Sequence, residues 1–181
     1  MARIRLPFFA FILLLFISAC ATKESAPTKE TAESSPAAAP TVGHGTVSAT
    51  IDGTAWQSAP ASSKDDDAAI ASIDPKTGFI TIRGTNASAA SEPQVIEITL
   101  KSSQPGNYTL APDFDHVQTA TYSIGSDTSQ LYFIHEKQSG QAVISQSDGH
   151  RVTGTFSFDA RNTQGKDIRI SNGTFDVLIK Q

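Results

Sequence analysis

Residues 46–181 predict an all-β domain, read as an antiparallel β-sandwich of about nine or ten strands. Three observations carry that prediction. Every long apolar repeat has a period of two residues, and none has the 3.6 of a helix. Turn-forming groups such as Asp52-Gly53, Asp74–Gly78 and Gln104–Asn107 punctuate the apolar stretches. The alternating positions are filled by Ile, Val, Leu, Phe and Tyr, which suit a pleated, half-buried surface. A flattened or lipocalin-like β-barrel is the alternative, because a packed interior and a ligand cavity produce the same alternation.

The chain opens on a different pattern. Arg3 and Arg5 precede ten apolar residues, Phe8–Ile17, and then Ser18-Ala19-Cys20. A basic start, a short apolar run and small residues before a cut site make a secretory signal. As a helix, the run spans about 15 Å, roughly half the ~30 Å hydrocarbon core, so a permanent membrane span is not expected. Ile17-Ser18-Ala19-Cys20 resembles the bacterial lipobox. That resemblance implies cleavage before Cys20, a diacylglyceryl thioether on its sulfur and acylation, palmitate included, of the new amino terminus. One chain anchors a protein marginally and two or three anchor it stably, at about 0.8 kcal/mol per buried methylene. The expected segments are a signal peptide over 1–19, a lipid anchor and tether over 20–45, and one β-domain over 46–181.

Residues 21–44 are almost all Ala, Thr, Ser, Pro, Lys and Glu, with Val42 as the one large apolar side chain. Such a segment buries too little to offset its ordering entropy, and as a flexible coil it spans about 25–30 Å. It reads as a spacer. Ala21 follows the cysteine where inner-membrane-retained lipoproteins often carry Asp, so the resemblance implies an outer-membrane address. Lys23-Glu24 loosely resembles a cell-surface signal, which leaves the periplasmic leaflet and the surface both open.

From Thr46 the strands follow in order. Val47, Ala49 and Ile51 share a face, and Asp52-Gly53 turns the chain into Ala55-Trp56. After the polar loop Ser58–Asp67, Ala69, Ala71 and Ile73 alternate, and Asp74–Gly78 returns the chain to Ile80 and Ile82. Ile96, Ile98 and Leu100 make the cleanest strand, opposite Glu97, Thr99 and Lys101. Tyr108–Leu110, Ala120–Ile124, Leu131–His135 and Gln141–Ser145 come next. Val152, Phe156 and Phe158 then alternate with polar residues. Beyond the Asn162–Lys166 loop stand Ile168 and Ile170, then Asn172-Gly173 as a turn, then Phe175, Val177 and Ile179.

Composition narrows the function. Without residues 1–20 the side chains comprise twelve Lys and Arg against eighteen Asp and Glu. That acidic balance disfavours nucleic acid and anionic membrane surfaces, which need clustered cations. Cys20 is the single cysteine, so a lipidated chain has no disulfide and no thiol nucleophile.

Ala49–Trp56 (A-T-I-D-G-T-A-W), Gly154–Ala160 (G-T-F-S-F-D-A) and Ile170–Val177 (I-S-N-G-T-F-D-V), with Pro105–Leu110 between them, resemble a family of uncharacterised bacterial envelope lipoprotein domains. The resemblance covers most of residues 46–181. Its motifs are turn and core residues, so it implies a fold and an envelope setting and brings no catalytic residue.

Several polar groups invite chemistry. Asp113, Asp115 and His116 follow Pro112 and could contribute to a Ca²⁺ or Zn²⁺ site, although the spacing matches no established loop and a solvated turn has the same composition. Asp65-Asp66-Asp67 reads as a solvated acidic loop. His135 shares a strand face with Leu131 and Phe133 and is expected to be partly buried and hydrogen-bonded. His44 and His150 fall at turns. Trp56 and Tyr108 are candidate ligand-binding aromatics, with a core seat the expected one for Trp56. The sequons at Asn86, Asn107 and Asn172 read as turn markers. No G-x-S-x-G, S-x-x-K or H-E-x-x-H is present. The expectation is a lipid-anchored, non-enzymatic interaction or accessory module without a cofactor, held to the membrane through acyl chains on Cys20. A carrier for a small apolar ligand or glycan is the alternative, and an envelope hydrolase comes third.

Overall fold

The computed structural model describes residues 45–59, 68–87, 91–112 and 118–180. They form eleven strands: β1 (Thr46–Ile51), β2 (Thr54–Gln57), β3 (Ala69–Ile73), β4 (Ile80–Asn86), β5 (Gln94–Leu100), β6 (Gly106–Leu110), β7 (Thr119–Ile124), β8 (Leu131–Phe133), β9 (Gly140–Ser147), β10 (Arg151–Asn162) and β11 (Asp167–Lys180). The all-β expectation holds, with more strands than the nine or ten expected. The proposed signal peptide, Cys20 and all of the tether but Gly45 lie outside the described residues.

The strands make one sheet in the order β2-β1-β11-β3-β4-β5-β7-β8-β10-β9-β6, and β10 also pairs with β11. That extra pairing closes a ring of seven strands. The long hairpin β10–β11 makes this possible, because each of its outer edges serves two partners. On β11, β1 pairs as far as Asp176, and β3 takes the freed edge at Ile179 and Lys180. On β10, β9 pairs through Phe158, and β8 takes over at Arg161 and Asn162. The β3–β11 contact is parallel, which corrects the purely antiparallel expectation. The ladder thus folds over itself in two layers. Gly84 on β4 faces Val47 and the Trp56 ring, and a Cβ there would stand 2.6 Å from the Val47 Cβ.

The inward faces form one continuous core. Ile80, Ile82, Ile96, Ile98 and Leu100 supply one layer, and Val47, Ile170, Phe175 and Val177 supply the other. The alternation read from the sequence is what places them there. Two features exceed it. First, the G-T-F triplets of β10 and β11 pair reciprocally: Gly154 opposite Phe175, Thr155 opposite Thr174, and Phe156 opposite Gly173. Phe158 likewise stands opposite Gly140. Each phenylalanine lies across a residue with no side chain to displace, and the Phe156 ring lies 6.3 Å from that of Phe158 and 6.4 Å from that of Phe175. The Gly-Thr-Phe motif is therefore a packing device.

Second, Asn172-Gly173 is not a turn. It is a bulge inside the fourteen-residue β11, where Phe156 pairs with Gly173 but Phe158 pairs with Ile170. Asn172 adopts a left-handed φ of 51°, which Asn tolerates better than most residues. The additional residue switches the inward phase from Ile168 and Ile170 to Phe175, Val177 and Ile179. Of the other sequon residues, Asn107 lies within β6 and Asn86 ends β4. The Asp52-Gly53 turn is as expected, with both residues at positive φ.

Tyr122 and Tyr132 face each other across β7 and β8, with ring centroids 5.9 Å apart. Burial, reinforced by Tyr132 and Asp52, pushes the Tyr122 hydroxyl from 10.0 up to about 12. The folded state therefore resists an ionisation that the unfolded chain allows at its ordinary value. Stability is full below that value and falls as pH rises from 10.0 towards about 12, by at most roughly 3 kcal/mol. Urea titrations across this range are expected to show the loss, and Tyr122→Phe is expected to flatten it. An unchanged slope in the variant would assign the alkaline loss elsewhere.

Candidate functional site

The β10–β11 hairpin is tied at its tip by Asn162, whose side-chain Oδ1 accepts from the backbone N–H of Gln164 (3.1 Å) and Lys166 (2.9 Å). Its amide donates to the Ser129 carbonyl at 2.8 Å. Counting back from this turn, the outward positions are Arg161 and Asp159 on β10 and Asp167 and Arg169 on β11. The register sets Arg161 opposite Asp167 and Asp159 opposite Arg169. Arg161 donates through Nε and Nη2 to the two Asp167 oxygens, both at 2.7 Å. Arg169 does the same to Asp159 at 2.9 and 3.4 Å. Two fork-to-fork pairs thus lie side by side with opposite polarity.

Two neighbouring segments wall them in. The Asp52-Gly53 turn docks on β11, where the Asp52 carboxylate accepts from the Arg169 backbone N–H at 2.8 Å and the Asp52 N–H donates to the Arg169 carbonyl at 3.0 Å. On the other side, Gln138 donates to Asp167 at 2.6 Å and accepts from the His135 N–H at 3.1 Å. This holds the segment after β8 against the hairpin. The result is a groove of about 730 Å³ that includes His135, Lys137 and Thr50 in its lining, within the roughly 300–1,000 Å³ usual for ligand clefts. A second hollow of about 370 Å³ continues from Asp159 and Arg169 along Ser157, Gln141 and Ser171.

The electrostatics follow from the pairing. Arg161 is the main influence holding Asp167 below the usual carboxylate range, with smaller help from Gln138 and His135. The hydrogen bonds to Asp167 and Asp159 raise Arg161 and Arg169 respectively. Arg161, Arg169 and Lys137 balance Asp52, Asp159 and Asp167, so the groove carries no net formal charge.

The residues singled out from the sequence lie elsewhere, with one exception. Trp56 and Tyr108 are buried, at 6% and 7% exposure, and the Tyr108 hydroxyl donates to the Gln104 carbonyl. Trp56 has its expected core seat, and neither aromatic offers a surface platform. Asp113, Asp115 and His116 lie outside the described residues, as do Asp65–Asp67 and His44. Among the described residues, no group of three His, Cys, Asp or Glu could hold a metal ion, and no helix is long and apolar enough to cross a membrane. His150 sits in the turn before β10, where Asp148 accepts from its N–H at 2.8 Å.

His135 is the exception and a correction. It is exposed rather than partly buried, because β8 ends at Phe133 and the inward positions belong to Tyr132 and Ile134. Its ring lies 6.1 Å from that of Phe133, and it lines the groove. The two Arg–Asp pairs were not anticipated. Their signal is present in outward positions counted symmetrically from the Asn162–Lys166 turn, where Arg and Asp alternate on both strands.

A family model described as Domain of unknown function (DUF6252) matches residues 44–178. No curated protein and no solved structure matches the chain.

Proposed function

We propose, from the premise that the chain belongs to the DUF6252 family, that it works as a non-enzymatic interaction module of the bacterial envelope, lipid-anchored through Cys20. The observation that carries the module reading is the groove at the hairpin tip, whose charged side chains are engaged with one another on rigid strands. General acid–base catalysis needs groups that exchange protons near the working pH. Asp167, held low, and Arg161, held high, are suited instead to fixed hydrogen bonding, which leaves His135 as the one imidazole in the groove lining. The interior supports this reading over an apolar carrier, since Tyr132, Phe175 and a row of isoleucines occupy the space between the layers.

The anchor rests on Ile17-Ser18-Ala19-Cys20 at the end of the apolar run. Acyl chains on Cys20 would give stable attachment, and residues 21–44 would hold the domain clear of the bilayer. Ala21 favours the outer membrane. The test is fractionation of cells making the full chain, fed a clickable palmitate analogue. The native chain is expected in the membrane fraction and labelled, while Cys20→Ala loses the label and accumulates as precursor or soluble protein. Label and membrane association that persist in Cys20→Ala would end the lipoprotein reading.

A further inference from the structure

We infer that the groove formed by the β10–β11 hairpin tip and the Asp52-Gly53 turn binds a neutral oligosaccharide. The inference rests on the reading of this groove as an interaction surface, and it is independent of the lipid anchor.

The chemistry of the paired side chains selects the ligand class. Arg161 spends Nε and Nη2 on Asp167, and Arg169 spends the same atoms on Asp159. Each guanidinium keeps its Nη1 hydrogens, and each carboxylate keeps lone pairs not used by its arginine. A ligand therefore meets donors and acceptors side by side at two adjacent places. Hydroxyl groups on neighbouring sugar carbons each donate and accept, so they satisfy both halves of such a pair. A phosphate or carboxylate would use the donors and be repelled by the acceptors, and an ammonium would meet the reverse. Charge balance across the groove points the same way, because no net field rewards an anion or a cation.

The surroundings extend the argument beyond one sugar. The adjoining hollow is lined by Ser157, Gln141 and Ser171, which hydrogen-bond without charge. At the opposite side, the exposed His135 ring backed by Phe133 provides a flat face for the C–H groups of a sugar ring. The exposed large aliphatics among the described residues, Leu131 and Leu178, do not line the groove. That composition does not suit the apolar centre of a protein interface. Strand register sets the partners of each pair opposite one another before any ligand arrives, which lowers the ordering left to the binding step.

The experiment is a glycan array probed with the full-length chain in detergent, printed with neutral hexose and N-acetylhexosamine oligomers beside uronic, sialylated and sulfated ones. Binding is expected among the neutral glycans. Titration calorimetry with the strongest of them should show affinity reduced about tenfold or more by Arg169→Ala and by the isosteric Asp159→Asn. Arg151→Ala removes a pair with Asp176 at the other end of the hairpin and should bind as the native chain does. Near-ultraviolet circular dichroism establishes that each variant is folded, and Asp159→Asn carries the test if Arg169→Ala is not. Absence of neutral-glycan binding, binding confined to acidic glycans, or full affinity in Asp159→Asn would overturn the proposal. So would an equal loss in Arg151→Ala. Each of these outcomes leaves the Cys20→Ala fractionation result standing by itself.

Discussion

Replacing Gly154 with valine is expected to destabilise the domain by about 3 kcal/mol or more, lowering its melting temperature by roughly 10 °C. A Cβ at this position would stand 2.0 Å from the Val143 carbonyl oxygen and 2.4 Å from the Phe175 ring. The ring could turn aside, but the carbonyl belongs to the β9 backbone and can retreat only by opening the β9–β10 ladder. Gly106→Ala is the control. Its Cβ would meet its nearest neighbour, the Tyr108 ring, at 3.8 Å, and it is expected to change stability by less than about 1 kcal/mol. Thermal melts of the two variants separate crowding from glycine entropy. A Gly154→Val domain that melts with the native one would show that the Gly-Thr-Phe pairing is not close-packed.

Tyr132→Ala is expected to cost about 3–5 kcal/mol, the range for deleting a large buried aromatic. Tyr132 is 1% exposed and packs on Tyr122. It sits on a strand of only three residues that joins β7 to Arg161 and Asn162 of β10. Its loss removes core volume and loosens one of the two joints that close the ring. Urea denaturation measures the total. Hydrogen exchange locates it, with the amides of β8 and the end of β10 expected to lose protection before those of β4 and β5. A loss under about 1 kcal/mol would mean that the short strand is held by its backbone bonds alone.

The strands were legible because burial leaves a period-two trace. Val47 and Ala49, Ile96 to Leu100, and Phe156 and Phe158 point inward as their alternation requires. Even the bulge at Asn172 left a mark, since the apolar positions change from even numbers at Ile168 and Ile170 to odd ones from Phe175 onward. A turn would also excuse that change, and Asn-Gly is a strong turn signal, so the pattern alone favoured the wrong device. Pairing was less legible. Which strand takes the end of β11 depends on where β1 stops, and nothing in Ala71 or Ser72 announces a parallel neighbour more than a hundred residues away. His135 was misplaced for a related reason: alternation shows that two faces exist, and tertiary contact decides which is inside. The groove was least visible, because single Arg and Asp residues at outward positions resemble ordinary surface until the hairpin register sets them opposite one another.

The ring has a consequence for the order in which the chain can acquire its shape. β1 finds its long partner in β11, and β3 also leans on the last residues of that strand. The beginning of the domain is therefore completed by its end. Contacts of such wide sequence separation slow folding, because a large loop must close before any pairing rewards it. During synthesis, a chain lacking β11 would leave β1 with β2, of four residues, as its one partner in the sheet, and a hairpin of that size is marginal in water. The strand β11 therefore acts as a clasp, and the ring stays open until it has been made.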